Sequence, residues 1–143
     1  MTATLTQARD EILTQFRTTW LADPISAELP VLWPDSDSKP PSSGAWARAS
    51  VTHGPGGQRT LSGGTGQIRY THKGFVIIQL FTPRGDGLKL SDQLAIIGKR
   101  AFEGVATSPG HVSFYRVVAR EIGPDGQWFN TNVLADCEWD EVR

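Results

Sequence analysis

Residues Gln67 to Thr82 constrain the fold of this chain more than any other segment. Their centre, Phe75-Val76-Ile77-Ile78-Gln79-Leu80-Phe81, is dense in β-branched and aromatic residues, and Pro83 with the Gly85-Asp86-Gly87 turn ends it. We read it as a long strand. Three other segments belong beside it. Ala45 to Thr52 alternates, with Ala45, Ala47, Ala49 and Val51 on one face and Trp46, Arg48, Ser50 and Thr52 on the other. His111 to Ile122 and Gln127 to Trp139 flank Gly123-Pro124-Asp125-Gly126, whose residue types favour a turn. In the last segment Phe129, Thr131, Val133, Ala135, Cys137 and Trp139 share one face, and Asn130, Asn132, Leu134, Asp136 and Glu138 the other. Val31-Leu32-Trp33 is a short apolar piece before a loop rich in Asp, Ser and Pro, Pro34 to Gly44.

Two helices complete the pattern. Leu5, Ala8, Ile12, Phe16 and Trp20 recur at three- and four-residue steps. Thr4 and Gln7 fit a capping box, and Asp23-Pro24 stops the helix, since proline lacks an N–H and disfavours helix in the residue before it. Leu90, Leu94, Ile97 and Ala101 form the second stripe, with Gly104 as a left-handed stop; its start lies near Leu88 or at a Ser91 cap. The expected fold is α+β, a mainly antiparallel sheet with both helices packed on one face, in a single domain over residues 1–143. The small alanines would let a helix approach closely. Glycines from 54 to 66 predict a long flexible hairpin loop. The face away from the helices is expected to be polar, with Asn130, Asn132, Asp136, Glu138 and Arg48.

Composition narrows the functional classes. A chain of 143 residues needs no disulfide or metal to fold. A net charge of -1 lacks the basic excess of a nucleic-acid binder. One cysteine rules out an internal disulfide and disfavours a Cys-based zinc site. Arg9, Asp10 and Glu11 stand where a signal peptide would be apolar, and no stretch approaches the roughly 18 apolar residues of a membrane span. Folding in a cytoplasm is the expectation. Five tryptophans suit subunit interfaces as well as cores, and Trp33, Trp46 and Trp128 stay open between the two.

The search for chemistry yields little. His53, His72 and His111 have no partner at metal-ligand spacing, and each reads as a surface or strand-edge histidine with no partner suited to proton transfer. There is no Gly-x-Ser-x-Gly elbow to nominate a serine. Cys137 alternates with apolar residues, so a buried inert thiol is the expected reading. Gly63-Gly64-Thr65-Gly66 lacks the Gly-Lys-Ser/Thr ending of a phosphate loop, and a strand rather than a helix follows it. Arg69, Tyr70, His72 and Lys73 form a small basic-aromatic cluster of a kind that can touch nucleic acid, but on a near-neutral domain four such residues fit better a solvated strand end or an acidic protein partner. No catalytic, metal or cofactor-binding residues are assigned.

In order along the chain, these segments resemble the tail-terminator proteins of long-tailed bacteriophages. The opening helix with Arg9, Ile12, Phe16 and Trp20 is similar to theirs, as are Trp46-Ala47-Arg48, Gly66, Arg69-Tyr70-Thr71, and Gly74 leading into Val76 to Pro83. Leu94-Ala95, Ala101-Phe102-Glu103-Gly104, Pro124 to Trp128, and Asn132-Val133 to Asp140-Glu141 complete the resemblance, while His72 stands where arginine is expected. The resemblance implies a non-enzymatic virion protein of the head-proximal tail, assembled in the bacterial host cytoplasm. Such a protein forms a homo-oligomeric ring, a hexamer, that caps the tail tube, ends elongation and offers a surface to the head–tail connector. Its implied partners are itself, the tube protein and the connector, with no membrane and no sequence-specific nucleic acid. Trp46, Arg48, Gly64, Arg69, Tyr70 and Asn132 are the candidate interface residues. Alternatives are another tail-completion or tube subunit, or a small ligand-binding or enzymatic domain with the glycine-rich loop as lid.

Overall fold

The computed structural model describes residues 3–60, 64, 66–104 and 106–143. Helix α1 (Leu5–Ala22) is followed by strands β1 (Val31–Leu32), β2 (Trp46–Gln58) and β3 (Arg69–Pro83), helix α2 (Lys89–Arg100), and strands β4 (Val112–Asp125) and β5 (Trp128–Val142). The strands form one sheet in the order β1-β2-β3-β5-β4. Every pairing is antiparallel except β1 with β2. The fold is therefore α+β, as the sequence indicates.

Helix α1 begins and ends as its sequence dictates. The Thr4 hydroxyl accepts from the Gln7 N–H at 3.3 Å, and the Gln7 side chain accepts from the Thr4 N–H at 2.9 Å. Asp23 is the C-cap. Ala8, Ile12, Phe16 and Trp20 are buried, whereas Leu5, the first of the apolar stripe, is exposed. Helix α2 starts at Lys89 after Leu88, with no side-chain cap. Ser91 is instead buried in a 2.8 Å hydroxyl pair with Thr131 of β5. Gly104 takes φ +66, the left-handed stop expected of it.

Both helices lie on one face of the sheet. Their buried residues form a single core with Ala47, Ala49 and Val51 of β2, Val76, Ile78 and Leu80 of β3, and Val133, Ala135, Cys137 and Trp139 of β5. Phe16 sits at the centre of its aromatics, 5.3 Å from Trp20, 6.1 Å from Trp33 and 6.3 Å from Phe102 between ring centroids. A glycine, as well as the small alanines in the core, lets a helix lie close against the sheet. A Cβ on Gly98 would come within 3.1 Å of the Val133 side chain.

Two boundaries differ from the sequence reading. Strand β2 does not stop at Thr52 but continues through Gly54-Pro55-Gly56-Gly57 to Gln58, paired with β3. A bulge between His53 and Gly56 absorbs Pro55, which cannot donate to a ladder. Residues 54–58 of the expected loop are thus strand, and Leu61, Ser62, Gly63 and Thr65 lie outside the described residues. At the other hairpin, Gly123 and Pro124 belong to β4 beside a second bulge, and the turn is Gly126-Gln127 alone. Gly126 has φ +61, the conformation that the first turn position of a type II′ hairpin requires.

Phe16 is fully buried and held by three rings. Phe16→Ala is expected to cost about 3–5 kcal/mol. A chemical denaturation midpoint that hardly moves would place the helix elsewhere.

Candidate assembly surface

Among the described residues, no layer lies over the sheet face away from the helices. Its side chains line up in rows across β2, β3, β5 and β4. One row is Thr52, Phe75, Asp136 and Arg116; the next is Ser50, Ile77, Leu134 and Val118; the third is Arg48, Gln79, Asn132 and Arg120. Phe75 and Val118 are 37% and 38% exposed. The face is thus not simply polar, as expected from β5 alone. An apolar middle row is flanked by charged and amide rows, and Phe75, Arg116, Val118, Arg120, Leu134 and Asp136 line a shallow depression of about 330 Å³. Arg116 is held to Asp136 at 2.9 Å.

At one end of this face lies a second apolar cluster of Leu32, Trp46 and Phe81, with Trp128 packed against it. Trp46 stacks on Phe81 with ring centroids 4.1 Å apart and meets the edge of Trp128 at 5.7 Å. The loop before β2 fastens this corner. Trp128 Nε1 donates to the Gly44 carbonyl at 3.1 Å, and Gln127 Nε2 donates to that of Ser42 at 2.9 Å. Trp46 is therefore 2% exposed and supports the surface without presenting its own ring. Above it the Arg48 guanidinium lies 5.3 Å from the Trp46 ring and 5.9 Å from that of Phe81, stacked on π-faces that attract a cation. Asn132 is half-buried in the row next to that of Trp46 and Phe81, and its Oδ1 has no hydrogen-bond partner among the described residues.

Arg69, Tyr70 and Gly64 occupy the opposite end of the sheet, by the β2–β3 hairpin. Arg69 pairs with Asp140 at 3.1 Å, and Asp140 also accepts from the Thr71 hydroxyl at 2.7 Å. Arg59 Nε donates to that hydroxyl at 2.9 Å. Tyr70 lies under the Arg143 guanidinium, 4.4 Å from its centroid. Gly64 is exposed. The six candidate interface residues thus form two groups at opposite ends of the sheet, not one patch.

Each histidine has a partner that sequence spacing did not show. Arg9 donates to His53 Nε2 at 2.9 Å. His72 faces Glu141 at 3.2 Å and stacks on Trp139 with centroids 5.5 Å apart. His111 Nδ1 lies 2.6 Å from Glu11, whose other oxygen accepts from the Thr107 hydroxyl at 2.7 Å. This carboxylate–imidazole pair joins α1 to the turn before β4, and it corrects the expectation that no histidine has a partner suited to proton transfer. The neighbouring depression of about 410 Å³ is lined by residues of α1 with Ser108 and Pro109, not by His111. Among the described residues no group of three or more His, Cys, Asp or Glu side chains is placed to hold a metal ion. No described helix is long and apolar enough to cross a membrane.

A two-layer α+β subunit with one sheet face uncovered is the class that this geometry defines. The chain belongs to the phage tail terminator protein family, whose model matches residues 7–117. The match ends within β4, so the final hairpin, included in the resemblance above, lies outside it. One solved structure is similar over 92% of this chain and 94% of its own, at 20% identity and a TM-score of 0.65, which extends the likeness of fold to nearly the whole chain. No curated protein sequence matches. Membership makes this a structural component of a bacteriophage tail.

Two titrating groups give checks on the site's surroundings. Burial, then the nearby Asp136 charge, pushes the Cys137 thiol up to about 12. It should resist thiol reagents in the native protein and react on unfolding; rapid native labelling would contradict its burial. His53 is lowered from 6.5 by burial, then by the charge of Arg9 and by His72. Its folded pKa lies below its unfolded one, so its contribution is present above pH 6.5 and is lost as the pH falls through the folded value. We expect His53→Gln to flatten the loss of stability on acidification below pH 6.5, measured by denaturation across pH; an unchanged slope would show that His53 is not the group involved.

Proposed function

We propose that this chain forms a closed homomeric ring, a hexamer, that caps the head-proximal end of the phage tail tube. The ring ends elongation and then offers its other face to the head–tail connector. Family membership supports the tail; the observation that carries the reading is the uncovered sheet face. A monomer that ended its life in solution would have little reason to gather Phe75, Ile77, Leu134 and Val118 in two adjacent rows of an open face, with Phe75 and Val118 exposed, and such surfaces mark contacts with other proteins.

The two groups of interface residues suit two partners. Arg48 and Asn132, carried by the Trp46 corner, form one contact region; Arg69, Tyr70 and the hairpin bearing Gly64 form the other. A ring of identical subunits repeats each contact around its circumference. Modest contacts therefore add through high effective concentration, and a subunit can remain unassembled until a tube end presents all sites together. The sheet ladders and the aromatic core hold those sites rigidly enough to be repeated. Assembly takes place in the host cytoplasm, where the single buried thiol needs no oxidising compartment.

Deletion of the gene from its phage should leave heads intact and produce abnormally long, headless tails under the electron microscope. Arg48→Glu should give a milder form of the same defect in a subunit that still unfolds cooperatively. Tails of normal length joined to heads would contradict the assignment. Normal-length tails that fail to attach would indicate a tail-completion role instead.

A further inference from the structure

The fold leaves two unlike surfaces at opposite edges of its sheet. The first is the outer edge of β4. Past Ser113, which bridges to Ala106, this edge has no partner strand among the described residues. An open ladder of N–H and C=O groups is a template for another chain. Strand β4 also carries two bulges, at Tyr115 and at Ile122, where its register against β5 shifts. These two residues are 58% and 55% exposed, the most exposed large apolar side chains on the strand. A bulge re-aims the side chain it carries. Here each bulge carries a large apolar residue that is left exposed. Between them Arg120 is exposed and has no ion-pair partner among the described residues.

The second surface is at the β1 edge. Helix α1 and the chain leaving β1 enclose a groove of about 560 Å³ with Leu13 and Trp33 as apolar walls and Asp10 and Asp35 at its rim. Glu28, before β1, and Asp37 and Lys39, after it, are exposed beside this groove's chain segments. Of the two arginines lining the groove, Arg9 is engaged by His53, which leaves Arg17 against the two lining carboxylates, Asp10 and Asp35.

We infer that copies of this chain join head to tail, the β4 edge of one seating against the α1–β1 flank of the next, with Tyr115 in the groove. Three observations agree on this occupant. The β4 edge offers apolar knobs with an unpaired arginine, and the flank offers an apolar groove with an acidic excess. Strand polarity fits: β1, β2 and β5 run one way and β3 and β4 the other, so β4 of one copy meets β1 of the next antiparallel. Height fits as well. Arg116, next to Tyr115, shares a row with Thr52 across the sheet, and Arg9, which touches His53 beside Thr52, is one of the residues lining the groove. Two different patches on every copy make the contact heterologous, the kind that closes into a ring. The inference rests on the ring proposed above and assigns the surfaces that close it.

The test uses two double variants of the full chain. Tyr115→Ala with Arg120→Glu disables the β4 edge, and Asp10→Lys with Asp37→Lys disables the flank; Asp35 is left in place because its φ of +55 suits few residues. Ile96→Asp on the exposed side of α2 is the control. Assembly is followed by sedimentation and electron microscopy up to about 1 mM protein. Wild type and control should form closed rings, and each double variant should need at least about tenfold more protein to do so. An equimolar mixture of the two variants, each keeping one good surface, should give heterodimers that do not grow. Rings at wild-type concentration from either folded variant, or a mixture that gives no heterodimer, would overturn the contact. So would a wild type that stays monomeric throughout, and over-long tails in the gene deletion would then show that the terminator reading survives without it.

Discussion

The structure depends on one apolar floor. Val76, Ile78 and Leu80 of β3 and Val133, Ala135 and Cys137 of β5 point to one side of two fully paired central strands, and both helices lie on that side. Each helix turns an apolar stripe toward the sheet, and the alanines of β2 with Gly98 of α2 allow close contact. Since two helices cover one face, the other must be covered by something else or stay wet. Its corner is closed by the chain itself, through Trp46, Phe81, Trp128 and the loop tied to them at Gly44. Among the described residues the rest is open, and the β4 edge past Ser113 is open with it. What the molecule offers to partners is set by where its own chain runs out.

Much of the fold was legible because its causes are local. The capping box at Thr4 and Gln7, the stop at Asp23-Pro24 and the stripe from Ala8 to Trp20 each depend on neighbours within four residues, and each appears as read. The misread boundaries depend on distant partners. Gly54-Pro55-Gly56-Gly57 reads as loop, yet β3 supplies a ladder from Gly74 to Tyr70 and a bulge takes up the proline. Gly123-Pro124 reads as turn, yet β5 pairs both. Local chemistry permitted either outcome, and pairing decided.

The surface was legible in part. Arg48 and Asn132 were assigned to the open face correctly, but the run Phe75 to Phe81 was read as one apolar block, which hid its division into a core side and an open side. Phe75 and Ile77 supply half of the apolar side chains in the two adjacent rows of the open face, and the alternation that sends them outward is visible only when β3 is set against β5. Trp46 was open between core and interface, and the loop at Gly44 settles it as buried. The histidine partners were out of reach for another reason. Arg9, Glu141 and Glu11 stand 44, 69 and 100 residues from theirs, and no spacing rule joins such pairs.

A tail protein with no wide apolar face would have to be held by charge alone, and its attachment would weaken steeply with salt. This chain combines an apolar row with charged borders, and a position at a tube end suits that combination: the row excludes water once seated, and the charges choose the partner. The measurement that tests this account most directly is immuno-electron microscopy of intact virions with antibody against the folded subunit. The account predicts label at a single position, where tail meets head. Label spread along the length of the tube, or absent from the virion, would contradict it.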